Sequence, residues 1–565
     1  MLDRLTGFMS LMSSPATDIS REAKELEKQY SARAKNFSSW YSLLKMDDNL
    51  AQKDMESFVG NDPRTTWNMA VYLLRPKPLT HKLVSSNGVA LGDEVLEFAT
   101  VIEQYFSRVW DRVEGLEARR GRGSWFRSYI GFLAATGWSA VPYMVEGNGR
   151  LFVDYWNPAT VFPEFSDRTD DGLLRLARIR SISSVQAHNS IVKGGWLFPR
   201  KKLDGKILEV QLWKKIGSTI YHGVDLHGET VKPMSPVPGL TDIPVVVNAV
   251  GGLPDDGNID SDFMGNVGQS VLATNAPLYQ NFNKQQTFMQ QLLRDTANPR
   301  VLIKSQGDTS PVNPDDWYKR GAFFYLGLND TVEVVQQAGI PVELTSLLFS
   351  LRGQMQRGGF SDLTFGNVLQ EVTGVLVTQA AEAAMQLLDP LHYAIQYMAS
   401  TVTNFWYQRI LEGTLPVEWP AIDKSLLIDT AVVSSYSVKI PGDLQNRVQT
   451  AKMLNPRLEL PLDEVIEMFL PEVDNVSTSM AKLDGERAKQ HPAYTQVVVI
   501  SAFERLADTS RRARNQEAAV MFDTIAGLLR KNLTGEPTQA DRLGTSDRSE
   551  AEGILPGLLQ ERLGG

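Results

Sequence analysis

The chain has 565 residues, 42% of them hydrophobic and 22% charged, with a net charge of −9 and no cysteine. That length exceeds one hydrophobic core and predicts about three or more structural units of ordinary folded composition. The lack of cysteine excludes disulfides, thiolate metal sites and cysteine nucleophiles. No run of about 18 apolar residues offers a membrane span, and the negative charge argues against coating nucleic acid by bulk attraction, though not against letting DNA pass.

The opening MLDRLTGFMSLMSS carries Asp3 and Arg4 and no long apolar run, so it is a poor signal peptide. Leu2, Leu5, Met9 and Met12 instead fit a short amphipathic helix. Residues 19–44 place Ile19, Ala23, Leu26, Tyr30, Ala34, Phe37, Tyr41 and Leu44 at helical steps, with Asp18 as N-cap, and predict one amphipathic helix. A second is predicted from Glu94 to Leu116 on the face of Ile102, Phe106, Val109 and Val113. A third runs from Ser124 to Thr136, with Gly137 where a left-handed C′ residue belongs. The apolar period then becomes that of strands. Ala140–Val145 and Arg150–Trp156 flank Glu146-Gly147-Asn148-Gly149, a hairpin signal. Further strands are predicted at Leu174–Arg180, Ile207–Lys214, Thr219–Val224 and Ile243–Ala249. Helices followed by an antiparallel layer make an α+β class, helical in the main.

The loop Gly251–Asn258 is a boundary. Pro277 fits the first turn of a helix to Ala297, with Leu278, Phe282, Met289 and Leu293 as its apolar side and Gln280, Asn281, Asn283, Gln285, Gln286, Gln290 and Gln291 elsewhere. Short strands are predicted at Arg300–Lys304, Ala322–Leu326 and Thr331–Val335, then a helix from Pro341 through Leu344, Leu347, Leu348 and Leu351 to Gly358-Gly359. The loop Phe360–Gly374 leads into a helix from Val375 to Leu411, roughly 55 Å long, with Leu376, Ala380, Ala383, Leu387, Leu391, Ala394, Met398, Val402 and Phe405 in register and a kink expected at Pro390. These stripes close around nothing evident in one copy, so each chain reads as one stave of a ring. A strand at Tyr436–Ile440, short helices near Leu444–Leu454, Leu462–Leu470 and Ser477–Lys489, and two longer helices from Val497 to about Asn532 complete the elements. The remainder, from Thr534, is polar and glycine-spaced, and reads as mobile until docked.

This order of parts resembles the portal proteins of tailed bacteriophages. The similarity covers roughly Ser124 to Gln490: the runs FLAATGWSAVPYMV and DYWNPATVFPEF, the helix–insert–helix of 277–358, the loop 360–374, the proline-bearing helix after it, and KIPGDLQNRVQTAKMLNPRLELPLDEVIEMF. The resemblance implies a wing (1–260 with a return over 414–490), a stem (261–297 and 341–359), a clip (298–340), a tunnel loop (360–374), a long helix behind it (375–413), a crown (491–535) and a tail (536–565). It implies a ring of about twelve copies around a DNA channel at one capsid vertex. Its partners would be double-stranded DNA, the packaging ATPase (terminase), adaptor or tail proteins at the clip and the major capsid protein at the wing. Its location would be the virion, and the host cytoplasm during assembly; no membrane, cofactor or metal is implied.

A wall past which DNA slides should offer amides and sparse cations, because a groove making about six to ten phosphate contacts would hold the duplex. The helix 278–297 carries only Lys284 and Arg294 as cations and suits that wall, or a solvated or subunit-facing side. Trp317-Tyr318-Lys319-Arg320 mixes rings and charge, for DNA or as an anchor for a neighbour. Lys304, Arg352 and Arg357 are further candidates for phosphate, the last two equally for an intersubunit ion pair. In the loop, Ser361, Asp362, Thr364, Asn367 and Gln370 are candidates for DNA contact; the alternative is a plain connector. Arg119-Arg120-Gly121-Arg122-Gly123 could face DNA or a scaffold protein, or be a solvated turn, and Arg505, Arg511, Arg512 and Arg514 could touch the innermost DNA turns or form i,i+4 ion pairs on their helices.

Catalysis finds little support. There is no GxxxxGK[ST], G-x-S-x-G or HExxH, and His81, His188, His222, His227, His392 and His491 are scattered. Asp255, Asp256, Asp260 and Asp262 lack Ca²⁺-loop spacing and read as a polar loop. The expectation is a non-enzymatic portal; a metal-dependent nuclease of a packaging complex using those acids, or a non-channel structural scaffold protein, stand as alternatives.

Overall fold

The computed structural model describes most of residues 19–438 and 492–534. Outside the description lie 1–18, 51–56, 77–78, 88–91, 147–148, 169–170, 255–262, 298–300, 305–330, 335–340, 361–373, 416–423, 513–515 and 535–565, nearly all of 439–491, and the single positions 201, 428 and 437. Two compact units emerge, Met1–Arg447 and Val448–Gly565. The first is mixed helix and sheet, an α+β arrangement. Among the described residues no helix is long and apolar enough to cross a membrane.

The first unit begins with α1 (Ile19–Gln29), α2 (Ser31–Lys45) and α3 (Asp62–Leu74), then β1 (Thr80–Ser85), α4 (Asp93–Leu116) and α5 (Trp125–Thr136). The single helix expected over 19–44 is therefore two, broken at Tyr30. The break resets the phase: past it Arg33, Phe37 and Trp40 turn inward, while Ala34 is exposed. Arg33 can be buried because its guanidinium stacks on the Tyr30 and Trp138 rings, 4.0 and 4.7 Å from their centroids, and its Nη2 donates to the Val161 carbonyl at 2.7 Å. Helix α4 has the predicted bounds, but Trp110 is buried where Val109 was expected and Val109 is only partly covered.

Helix α5 starts under the Ser124 side chain, which accepts from the Arg127 N–H, and ends at Gly137 with φ +68. A Cβ at Gly137 would run into the backbone of Gln269, so both conformation and space demand glycine. The predicted hairpin follows as β2 (Trp138–Val145) and β3 (Leu151–Val153), with Val145 opposite Leu151. Next come β4 (Val161–Phe165), β5 (Leu173–Ser183), α6 (Ser184–Gly194), β6 (Lys206–Ile216), β7 (Thr219–Leu226), β8 (Glu229–Pro236) and β9 (Val245–Ala249). Strands β4 to β8 form one antiparallel meander in chain order, and β3-β2-β9 form a smaller sheet. Arg175 pairs with Glu164 and Arg180 with Glu209, while Arg178 lies 4.0 Å from the Trp156 centroid, so this arginine row is consumed inside the sheet.

Past β9 lie α7 (Phe263–Asn266), α8 (Ala276–Ala297), β10 (Val301–Lys304), β11 (Thr331–Val334), α9 (Val342–Arg357), α10 (Gly374–Leu411) and β12 (Thr430–Ser435). Strand β12 pairs antiparallel with β1, Leu83 opposite Val432, and so ties residues 430–435 to the chain's first hundred. Of the strand expected at Tyr436–Ile440, Tyr436 and Val438 are not in strand, and 437, 439 and 440 lie outside the described residues. The short helices expected over 444–489 lie outside the described residues apart from isolated positions.

The apolar stripe of α10 faces its own subunit. Leu388, Leu391, Ile395, Met398, Val402, Trp406 and Ile410 are buried in a cluster with α3, α4, α5, β2 and β12, which corrects the expectation that this stripe waits for a neighbouring copy. Within that stripe Ala383 is exposed, and Leu387 and Phe405 are only partly buried. The second unit, described by itself, is α11 (Pro492–Arg512) against α12 (Gln516–Thr534), with Ile500, Ala507, Ala519 and Ala526 buried between them.

Burial holds two histidines neutral. His81 is bonded to Ser434 Oγ (2.9 Å), and His222 stacks on Trp213 with centroids 3.9 Å apart and sits 2.9 Å from Lys232 Nζ. Desolvation lowers both imidazoles from 6.5 to about 3, with Lys232 adding to the effect on His222. Unfolded, the same rings protonate below 6.5, so this part of the stability is full above that pH and is lost as the pH falls toward 3. Each ring should cost about 1.4 kcal/mol per pH unit in that window. Urea titrations at pH 7 and pH 5 should therefore show a marked drop, and His222→Phe, which keeps the stack on Trp213, should make the drop shallower; an unchanged slope would show that His222 is protonated in the fold.

Candidate nucleic-acid interface

Helices α8 and α9 pack against each other, and the strand pair β10–β11 joins their far ends. Their near ends are rooted in the main core. Tyr279 is 3% exposed, Met355 and Phe360 belong to the same cluster, and Leu278 and Phe282 pack on it. Asn275, just before α8, donates from Nδ2 to the Met355 carbonyl at 2.7 Å and so fastens α8 to the last turn of α9. Gly358 and Gly359 pass directly over this amide, and a Cβ on Gly358 would strike Asn275 Oδ1. Gly358→Ala should accordingly cost about 1–3 kcal/mol in chemical denaturation through overpacking; a neutral result would mean that Asn275 swings clear and does not lock the pair.

Burial falls away toward the far ends. On α8, Leu293 is 47% exposed, and on α9, Val342 is 76% exposed, whereas Leu351 and Met355 nearer the root are buried; Phe349, between the buried Leu348 and Leu351, points outward. Of the apolar side assigned to α8 from the sequence, Leu278, Phe282 and Met289 are partly covered and Leu293 is not, while the fully inward residues are Tyr279 and Thr287. On α9 the inward row is Leu344, Leu348, Leu351 and Met355, while Leu347 faces out.

The amide side of α8 divides. Gln280 and Asn281 are exposed, but Asn283 Oδ1 accepts from the Gly60 N–H (3.0 Å) and Thr287 Oγ1 from the Phe58 N–H (3.0 Å), so part of that side holds the segment 58–60 of its own chain. Lys284 is exposed, its Nζ 6.0 Å from the Phe288 centroid, and it helps to line a cavity of about 480 Å³ with Asp47 and Asp48. Lys304 on β10 pairs with Glu333 on β11 at 2.9 Å, which offsets its charge. Arg294, Arg352 and Arg357 are exposed along the helix pair. Lys319 and Arg320, with Trp317 and Tyr318, lie outside the described residues, as do Ser361, Asp362, Thr364, Asn367, Gln370 and the acids Asp255, Asp256, Asp260 and Asp262. The origin of the loop is described: Phe360 is buried in the core, an anchor that a reading of 360–374 as one glycine-bounded loop missed.

The basic run 119–123 is largely tied down. Arg120 makes two bonds to the Asp154 carboxylate (2.8 and 3.0 Å) and one to Glu117 (2.9 Å), and Arg122 donates to the Tyr155 hydroxyl at 2.8 Å. In the second unit Arg511 pairs with Asp508 and Asp523, and Arg505 bonds the Ser501 carbonyl; Arg514 lies outside the described residues. Among the described residues no group of three acidic or histidine side chains could hold a metal ion. A comparison with models of known protein families and with curated proteins finds no match.

Proposed function

We propose that the chain is one subunit of a portal ring of the tailed-bacteriophage kind, a conduit for double-stranded DNA at a capsid vertex with no reaction of its own. About twelve copies would surround the channel. In this reading α8 and α9 are the stem, 298–340 the clip that meets terminase and later the adaptor or tail proteins, and 360–374 the loop that reaches the DNA. Residues 1–260 with 414–490 form the wing against the major capsid protein, and 491–535 the crown. The assembled protein resides in the virion, after assembly in the host cytoplasm.

The observation that carries this reading is the helix pair rooted in the core at one end and left uncovered along an outer face. Leu293 and Val342 are exposed toward the far ends, and Phe288 and Phe349 are exposed midway along the two helices. Exposed apolar side chains along a paired element suit an interface, and a head-to-tail contact repeated between identical copies forms a ring when its rotation closes. The exposed amides Gln280 and Asn281, with cations few and partly offset, supply a surface that touches phosphate without gripping it. Electron micrographs of the purified protein viewed down its axis test the reading. Rings with an axial hole wide enough for a duplex support it, and a stable 62.9 kDa monomer at every concentration in sedimentation removes it.

A further inference from the structure

A cleft of about 770 Å³ opens where the end of α2, the start of α3 and the first turns of α5 meet. Lys45, Arg64, Arg122 and Arg127 stand around it, and no carboxylate is among the residues that line it. All four cations are exposed; Arg122 is held by the Tyr155 hydroxyl, whose hydrogen bond raises its pKa. The interior has a different chemistry. Gly131 and Ala135, one turn apart on α5, leave a depression walled by Tyr41, Trp67 and Phe132. Trp67 is fixed there, since its Nε1 donates to the Gly131 carbonyl at 3.0 Å and a Cβ on Gly131 would meet its ring at 3.3 Å.

The N-terminus of α5 contributes little to this charge. The Phe126 N–H is bound by Glu114 Oε2 (3.0 Å) and the Arg127 N–H by Ser124 Oγ (3.1 Å), and Glu114 is itself paired with Arg75 at 2.7 Å. The side-chain cations carry the attraction.

We propose that this cleft binds an acidic peptide segment of a partner protein, with an aliphatic or aromatic side chain in the depression and flanking carboxylates on Arg64, Arg127, Lys45 and Arg122. Guanidinium groups match carboxylates in paired hydrogen bonds, and a bare anion would have no use for the aromatic walls. A duplex is convex and hides its bases, so it cannot enter. A single strand could stack on the rings, but a long polyanion is repelled by a chain of net charge −9, whereas a short acidic segment meets mainly the local cations. The proposal does not rest on ring formation.

The test uses the full-length protein and a fluorescein-labelled peptide of glutamates around a central Leu-Phe pair, read by anisotropy. Saturable binding is expected, weakening steeply with salt and by about tenfold or more in an Arg64→Glu/Arg127→Glu variant. Both positions are exposed, so matching circular dichroism and melting of the variant establish that its fold is retained. Replacing the Leu-Phe pair with alanines should weaken binding as well. Lack of saturation, equal affinity in the variant, or tighter binding of a single-stranded oligonucleotide of the same charge would each overturn the assignment.

Discussion

Replacing Leu388 and Leu391 together with aspartate is expected to unfold the first unit, and not simply to keep intact subunits from assembling. Both side chains are buried in the cluster that joins α10 to α3, α4, α5 and β12. Losing a buried leucine costs about 2–5 kcal/mol before the new group is counted. A carboxylate without a partner in an apolar site adds about several kcal/mol more, or stays protonated at a similar expense. Two such changes exceed the whole stability of a typical domain, about 5–15 kcal/mol. Circular dichroism and a melting scan should show no cooperative transition. A folded variant of normal melting temperature would mean that α10 turns another face to the core.

The same helix shows how much was legible in the sequence. Its period and its ends, Val375 to Leu411, could be read from the spacing of apolar residues, and the structure gives Gly374–Leu411. What that spacing could not give was the owner of the surface it faces. An apolar stripe reads alike whether a sheet of the same chain or a second copy covers it, since burial leaves the same chemistry in both cases. The stripe is also wider than one row: Ala394 with Ile395, Met398 with Ala399 and Trp406 with Tyr407 are all buried, because protein surrounds the helix on most sides. Among the described residues of the helix, a strip with Asp389, Pro390, Tyr393 and Tyr397 faces out. Pro390 is tolerated there, since the Gln386 carbonyl that loses its partner lies on the exposed side and can bond water.

Arg33 was illegible for a different reason. A charged residue reads as surface unless the aromatic rings that receive it are known, and Trp138 and Phe162 lie more than a hundred positions away in the chain. Of the candidate site, Asn275 and Phe360 were missed because their roles depend on partners brought up by the fold, the Met355 carbonyl and the central core. The cleft at Arg127 was hidden likewise, since its four cations come from three separate stretches of chain.

Changing Phe288 and Phe349 to glutamate should have the opposite signature to the α10 substitution. Phe349 is 72% and Phe288 49% exposed, so neither is central to the fold of one copy, and each change should alter stability by only about 0.5–1 kcal/mol. Between copies the effect is large if these faces meet. An aromatic anchor in a protein interface is worth about 2 kcal/mol or more, and a buried unpaired carboxylate adds to that loss. In a closed ring every subunit makes the contact on both sides, so each interface of the variant is weakened at once. Sedimentation velocity should then show the wild type as a large assembly and the variant at 62.9 kDa with an unchanged melting curve. If the variant instead sediments with the wild type, these faces are not where the copies join, and the exposed outer faces of α8 and α9 serve a different partner.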